Sequence, residues 1–351
     1  GLEPWAPRLT GSHSRTLGQH PGWDPLAEMI WRAHAAGIRV HAWMNVSPVW
    51  LGPPEVPDEP LTPNENLNDP PAPLYRLSWN NDRVQGYGLG NAWRAHDANG
   101  NPMGVVWGSY LWASPSVPAV RDHVAAVAAD IAARYAIDGL HLDYVRYPGS
   151  QYSLDPTAQE ACAADPACPG VEDEVWRGHY QRDRLTHLVA EVAARARAAR
   201  PGLQVSAAVW PLFMNPMGLG DSALLGFYDF CQDGPRWLRE GHVQYIAPML
   251  YSYSMQAEHS EKGYEPAREL WRATLADQQA HAPASGILPG IGVERGGGGY
   301  LPFDELAARI ALAREMGAPG HAFFSLGGLR EAGYLDALRA GPYAQPAAAL
   351  H

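Results

Sequence analysis

A chain of 351 residues, 46% hydrophobic and 18% charged, has the composition of a globular protein with ample core, and its length suits one large α/β barrel. The formal net charge of -11 argues against a phosphate-backbone partner, since nucleic-acid binders present a basic face. No apolar run in the sequence is long enough to span a membrane.

In chain order, helix and strand signals alternate. The amphipathic run 25–36 precedes "GIRVHAWMNV", a helix followed by a strand. "PAVRDHVAAVAADIAARYA", with Pro118 near its start, feeds "IDGLHLDYV". "RDRLTHLVAEVAARARAARPG", closed by Pro201 and Gly202, feeds "LQVSAAVW". "PRWLREG" feeds "VQYIAPMLY", "EPARELWRATLADQQAHA" feeds "GILPGIGV", and "FDELAARIALAREMGAPG" feeds "HAFFSL". Glycine or proline falls where each helix should stop. Repeated units of this kind imply a parallel sheet covered by helices. Six strands are identifiable, where a closed barrel has eight. An open doubly wound sheet is the alternative, but no nucleotide-type glycine fingerprint follows an early strand. "GGGG" at 296–299 lacks the Walker Lys and Ser/Thr and reads as a flexible loop.

Two stretches break the alternation. Residues 52–73 are rich in Pro, Asn and Glu and read as a long loop. Residues 76–114 carry aromatic runs around Asn99-Gly100-Asn101, which suggests a hairpin excursion. The chain therefore reads as one barrel domain, 1–335, with an insertion at 52–114 and a C-terminal tail at 336–351. In a barrel such an insertion lies above the C-terminal rim of the strands.

Thirteen Trp and sixteen Tyr stand against six Phe. Flat apolar faces with polar tips suit sugars, whose C–H faces are edged by hydroxyls, although large cores also use Trp. Cys162 and Cys168, in "ACAADPACPG", are expected to form a short disulfide in the loop after "IDGLHLDYV", which fits an oxidising compartment. Cys231 is left over and expected to be buried. No Cys/His spacing points to zinc, so neither metal nor cofactor is expected. There is no signal peptide and no initiator Met, so the sequence is expected to start after processing or to be a fragment.

The chemistry concentrates in "IDGLHLDYVRYP". In an alternating strand Leu140 and Leu142 share one face, and His141 and Asp143 the other. A carboxylate at a strand's C-terminal end is where barrel active sites form. The plain structural reading of Asp143 is a turn cap before Pro148.

Five blocks, "EPWAPRLTG", "DPLAEMIWRAHAAGIRVHAWMN", "IDGLHLDYVRYP", "CQDGPRWLREGHVQYIAPMLY" and "GHAFFSLGGL", resemble in that order the bacterial glycosyl-hydrolase-like family 10 proteins. The resemblance runs from about Glu3 to about Leu329. It implies a (β/α)8 TIM-type barrel, often secreted or lipid-anchored, and hence an extracellular or cell-envelope location. It makes "RVHAWMN" the third barrel strand and "HAFFSL" the eighth, with the first two upstream of Gly1. The family block usually carries two acidic residues, as in "HFDDY"; here Tyr144 takes the second place, so only Asp143 carries over. His141 and Asp143 also have the spacing of the fourth-strand motif of the alpha-amylase clan, a remote likeness.

Glycoside hydrolysis needs two carboxyl groups across the scissile bond. Asp143 is the first, with His141 and Arg146 placed to hold it ionised. Glu294, ending "GIGVE", is the leading partner; its plain reading is a surface Glu or a partner of Arg295. Asp233 is the reserve, or else the N-cap of "PRWL". Asn45, Trp210, Tyr251 and Tyr253 end strands and are candidates to bind sugar. His41, inside a strand, reads as a core histidine. The expected function is a glycoside hydrolase acting on a polysaccharide of the bacterial cell wall or an exopolysaccharide. The alternative is a glycan-binding barrel without catalysis. A metal-dependent deacetylase would need an Asp/His cluster that the scattered histidines do not form.

Overall fold

The computed structural model describes residues 24–51, 93–97, 99–103, 110–152, 154–216, 218, 224–251, 265–295 and 298–345. Contacts divide the chain into two compact units, Gly1–Val205 with Tyr228–Gln232, and Ser206–Phe227 with Asp233–His351.

Among the described residues of the first unit, helix α1 (Pro25–Ala35) comes first, started by Asp24, whose carboxylate accepts from the N–H groups of Leu26 and Ala27 at 3.0 Å. It leads into β1 (His41–Asn45). β1 pairs parallel with β4 (Gly139–Asp143), in the register His41 to Gly139 through Asn45 to Asp143. Asp138 pins the start of both strands: its Oδ2 accepts from the Val40 N–H at 2.7 Å and lies 2.8 Å from His34 Nε2. Between them, β2 (Pro48–Leu51) and β3 (Tyr110–Trp112) form an antiparallel pair at the two ends of the predicted insertion. The turn at 97–101 is present as well. Asp97 Oδ1 accepts from the N–H groups of Asn99 and Asn101, and Gly100 adopts φ +76°, a conformation glycine reaches without steric cost. Residues 52–92 of that insertion lie outside the described residues.

Helix α2 (Pro118–Arg134) packs along α4 (Glu174–Ala199). Val120, Val124 and Ala128 on one, and Leu185, Leu188 and Val192 on the other, are buried. Burying each such Val or Leu is worth about 1.5–3 kcal/mol. The loop after β4 contains a short helix, α3 (Pro156–Ala164), capped by the buried Asp155. Cys162, in its last turn, and Cys168 beyond it form the expected disulfide, with Cα atoms 5.4 Å apart. Cys231 is free and fully buried, its Sγ 3.4 Å from Gln181 Oε1; burial pushes its thiol up to about 12.

β5 (Gln204–Val209) enters the second unit at Ser206, and there it pairs parallel with β6 (Tyr245–Pro248), from Ser206 to Tyr245 through Val209 to Pro248. The short helix α5 (Gly234–Arg239) comes between them. Ile287 bridges in parallel to Ile246, and β7 (Gly290–Gly292) pairs parallel with β8 (Ala322–Phe324). α6 (Glu265–His281) precedes β7, and α7 (Phe303–Glu315) precedes β8. All six predicted helix–strand units are therefore present. Helices α8 (Leu326–Glu331) and α9 (Leu335–Ala340) follow. Residues 336–340, read from the sequence as tail, are helical because Leu338 finds a buried seat.

Candidate active site

Asp143 closes β4 and is 6% exposed. Its carbonyl accepts from the Val46 N–H at 2.9 Å, so the chain leaving β1 is tied to the end of β4. The next residue, Tyr144, has φ +50°. A left-handed tyrosine costs roughly 1–2 kcal/mol of backbone energy. The turn it makes brings its N–H within 2.6 Å of Asp143 Oδ1. A backbone amide thus holds the carboxylate in place, a donor that no sequence pattern at a tyrosine would reveal.

Arg146 supplies the charge. Its Nη1 lies 3.9 Å from Asp143 Oδ1, and both side chains are about nine-tenths buried. The guanidinium carbon stands 4.4 Å from the Tyr144 ring centre and 5.8 Å from both Trp112 and Phe230. Two opposite charges at this separation attract by about 4 kcal/mol at an effective dielectric of 20, and the rings add a cation–π contribution. His141 is half-buried and edge-on to Trp43, with ring centres 6.2 Å apart. Burial lowers its pKa, against the upward pull of Asp143 and with a further push down from His41. At neutral pH it is therefore an uncharged imidazole, so the positive charge beside Asp143 comes from Arg146. Asn45 is exposed and sits in register beside Asp143. His41 is half-buried, and burial together with Arg39 keeps it neutral against the pull of Asp138.

In the second unit, Glu294 follows β7 and bridges to Tyr300. Its carboxylate is held by one residue from the end of β8: Ser325 Oγ donates to Oε1 at 2.6 Å and the Ser325 N–H donates to Oε2 at 3.0 Å. Ser325 also caps α8, its Oγ accepting from the Gly328 N–H at 3.2 Å. Gly328 leaves room for this carboxylate, since a Cβ there would fall 2.5 Å from Glu294 Oε1 and the side chain would have to shift. Tyr251 stacks on Phe324 at 5.3 Å and 11°, and it lies over Gly290, where a Cβ would meet its ring at 3.0 Å. Trp210, half-buried after β5, has its carbonyl held by Gln278 Nε2 at 3.0 Å. Asp233 caps α5, accepting from the Arg236 N–H at 3.1 Å, which is the plain reading of that residue. Tyr253 lies outside the described residues.

The structure thus forms two groupings, Asp143 with His141, Arg146 and Asn45 in the first unit, and Glu294 with Tyr251 around the end of β8 in the second. Asp233 and Trp210 serve other elements of the second unit. Among the described residues, no three His, Cys, Asp or Glu side chains come together to hold a metal ion. No described helix is long and apolar enough to cross a membrane.

The family profile described as Glycosyl hydrolase-like 10 matches residues 95–286, more than half of the chain. The chain belongs to this family. The match to Glycosyl hydrolase-like 10 takes in β4 and the Asp143 turn. Similar proteins include the glycosyl hydrolase DigH of Escherichia coli K12, 24% identical over 71% of this chain and 50% of its own length. The glycosyl hydrolase YngK of Bacillus subtilis is 25% identical over 79% of this chain and 47% of its own. The chain spans about half the length of these curated relatives. Among solved structures, the PgaB (BpsB) glycoside hydrolase domain from Bordetella bronchiseptica is similar over 90% of this chain and 79% of its own, with a TM-score of 0.60 at 16% identity. A beta-galactosidase from Marinomonas ef1 covers 92% of this chain and 52% of its own, with a TM-score of 0.53 at 11% identity. These likenesses concern the fold: glycoside hydrolases with barrel-type folds, matched by a mixed α/β chain with parallel strands.

Proposed function

We propose that this member of the Glycosyl hydrolase-like 10 family hydrolyses O-glycosidic bonds of a polysaccharide, of the bacterial cell wall or an exopolysaccharide, with Asp143 as its central carboxylate. The observation that carries the reading is the setting of Asp143: buried at the C-terminal end of a parallel strand, held by the Tyr144 N–H and faced by Arg146. An ionised, oriented carboxylate is what a glycosidase nucleophile or base requires. In this scheme Glu294 is the acid and Asp233 the reserve, with Asn45, His141, Tyr251 and Trp210 placed to contact sugar. The six helix–strand units are strands three to eight of a (β/α)8 barrel, a reading supported by their order and parallel pairing. The disulfide supports an extracellular or cell-envelope location.

A second reading, a glycan-binding barrel without catalysis, is favoured by one observation: both oxygens of Glu294 already accept hydrogen bonds from Ser325. Incubating the protein and Asp143→Asn with a panel of purified polysaccharides, and assaying released reducing ends, separates the two. Hydrolysis lost by at least a thousandfold in Asp143→Asn, with binding retained, supports the first. Binding without product from the unsubstituted protein supports the second.

A further inference from the structure

Strands β1 and β4 present two unlike faces. Paired residues of neighbouring strands point to the same side, and successive residues alternate. Met44, Leu140 and Leu142 fall on one face and are buried. The other face carries three rows: His41 with Gly139, Trp43 with His141, and Asn45 with Asp143. The imidazole of His41 lies over Gly139, where a Cβ would fall 2.3 Å from its Nδ1, so a ring closes the first row. The last row sets the exposed Asn45 amide beside the Asp143 carboxylate.

Between these rows stands Trp43, and it is 57% exposed. His141 stands nearly perpendicular to it, at 84° with ring centres 6.2 Å apart, so the two rings do not stack. More than half of the residue's surface is accessible, which is more than the edges of an indole supply. A broad ring face is therefore open to solvent. Two residues along a strand cover about 6–7 Å, so this indole adjoins Asp143 at a distance one pyranose ring spans. A single exposed apolar side chain needs no explanation on an ordinary surface. Here its neighbours are an amide, a neutral imidazole and the buried carboxylate of the candidate site.

The three rows contain no lysine or arginine. Arg146, the cation of the turn, faces Asp143. A uronate or phosphate group on this face would meet the Asp143 carboxylate without a cation of its own. An uncharged pyranose would find an indole plane, whose negative face attracts C–H groups, and the Asn45 amide for its hydroxyls.

We propose that Trp43 is the stacking platform for an uncharged sugar unit adjoining Asp143, and so a specificity-determining residue of the glycan site. The inference rests on the reading that the chain takes a glycan at the Asp143 turn, but not on that glycan being cut.

The test uses the full chain carrying Asp143→Asn, titrated by calorimetry with cellohexaose, chitohexaose and laminarihexaose, and with hexagalacturonate as the charged counterpart. At least one uncharged hexamer is expected to bind, and more tightly than hexagalacturonate. Adding Trp43→Ala should raise its Kd about tenfold or more, with little change in melting temperature. Trp43→Phe, which keeps a flat ring, should stay within about threefold of the parent. If the Ala variant is unstable, oxidation of the Asp143→Asn protein by N-bromosuccinimide takes its place, read at Trp43 by peptide mass spectrometry, and the bound hexamer should slow it. An unchanged Kd in Trp43→Ala, an unprotected indole, tighter binding of hexagalacturonate, or no binding of any hexamer overturns the assignment. Reducing-end release by the unsubstituted protein reports separately on hydrolysis. Cleavage with an unchanged KM in Trp43→Ala defeats the platform alone, and Trp43-dependent binding without product defeats hydrolysis alone.

Discussion

In the turn after β4, Arg146 lies 3.9 Å from Asp143 Oδ1 and 4.4 Å from the centre of the Tyr144 ring. One cation therefore serves a carboxylate and an aromatic face at once. A lysine could keep the charge but not the planar stacking. Arg146→Lys should lower stability by about 1–2 kcal/mol and reduce turnover roughly tenfold. Arg146→Ala, which leaves Asp143 buried without its counter-charge, should cost about 3–5 kcal/mol. Urea denaturation measured beside glycan hydrolysis checks both. A Lys variant as stable as the parent would show that the turn does not depend on the stack.

Ser325 gives both of its donors to Glu294 and caps α8. Ser325→Ala removes the hydroxyl from both tasks and should cost about 1–2 kcal/mol. Gly328→Ala would place a methyl group on Glu294 Oε1 and should disturb activity more than Ser325→Ala does, because it displaces the carboxylate instead of merely releasing it. Comparing turnover with melting temperature in the two variants separates position from stability.

His321 precedes β8 and hydrogen-bonds Tyr343. Burial, helped by Arg314, lowers its pKa to about 4. The unfolded chain binds this proton below about pH 6.5, and the folded chain resists it until about pH 4. Stability from this residue is therefore complete above about pH 6.5 and declines as the pH falls towards 4, by up to about 1.4 kcal/mol per pH unit. His321→Gln should flatten that part of the stability curve. An unchanged slope between pH 6.5 and 4 would remove His321 as its source.

Opening the Cys162–Cys168 bridge, with dithiothreitol or as the double Ser variant, should lower stability by about 2 kcal/mol, the chain-entropy value for so short a loop. Chemical denaturation of the oxidised and reduced protein measures it. A difference below about 0.5 kcal/mol would mean that the loop is ordered without the bridge.

The sequence made the periodic features legible. Six helix–strand units, the carboxylate at the end of β4, the short disulfide and the 97–101 turn all follow from patterns a few residues wide. The N-cap at Asp233 was legible too, as one of two readings of the same residue. What escaped depends on chain that is distant or on backbone that no residue type announces. Ser325 reaches Glu294 across 31 positions. Tyr144 adopts a left-handed turn usually left to glycine or asparagine. The helix Pro156–Ala164 was hidden inside a stretch that its prolines and cysteines marked as loop. The Trp176–Tyr180 stack has the spacing of ordinary packing, and its tie to Asp165, carried on a different element, is not announced by that spacing.

The setting of Arg146 has a consequence for how this region drifts. Its guanidinium meets rings from three separate parts of the chain, Trp112, Tyr144 and Phe230. Losing any one ring weakens the hold on the cation, and losing the cation leaves Asp143 without its charge partner. The four positions are therefore expected to change together. Relatives that replace the arginine should replace the surrounding rings with it, and chimaeras that mix the two states should fold worse than either parent.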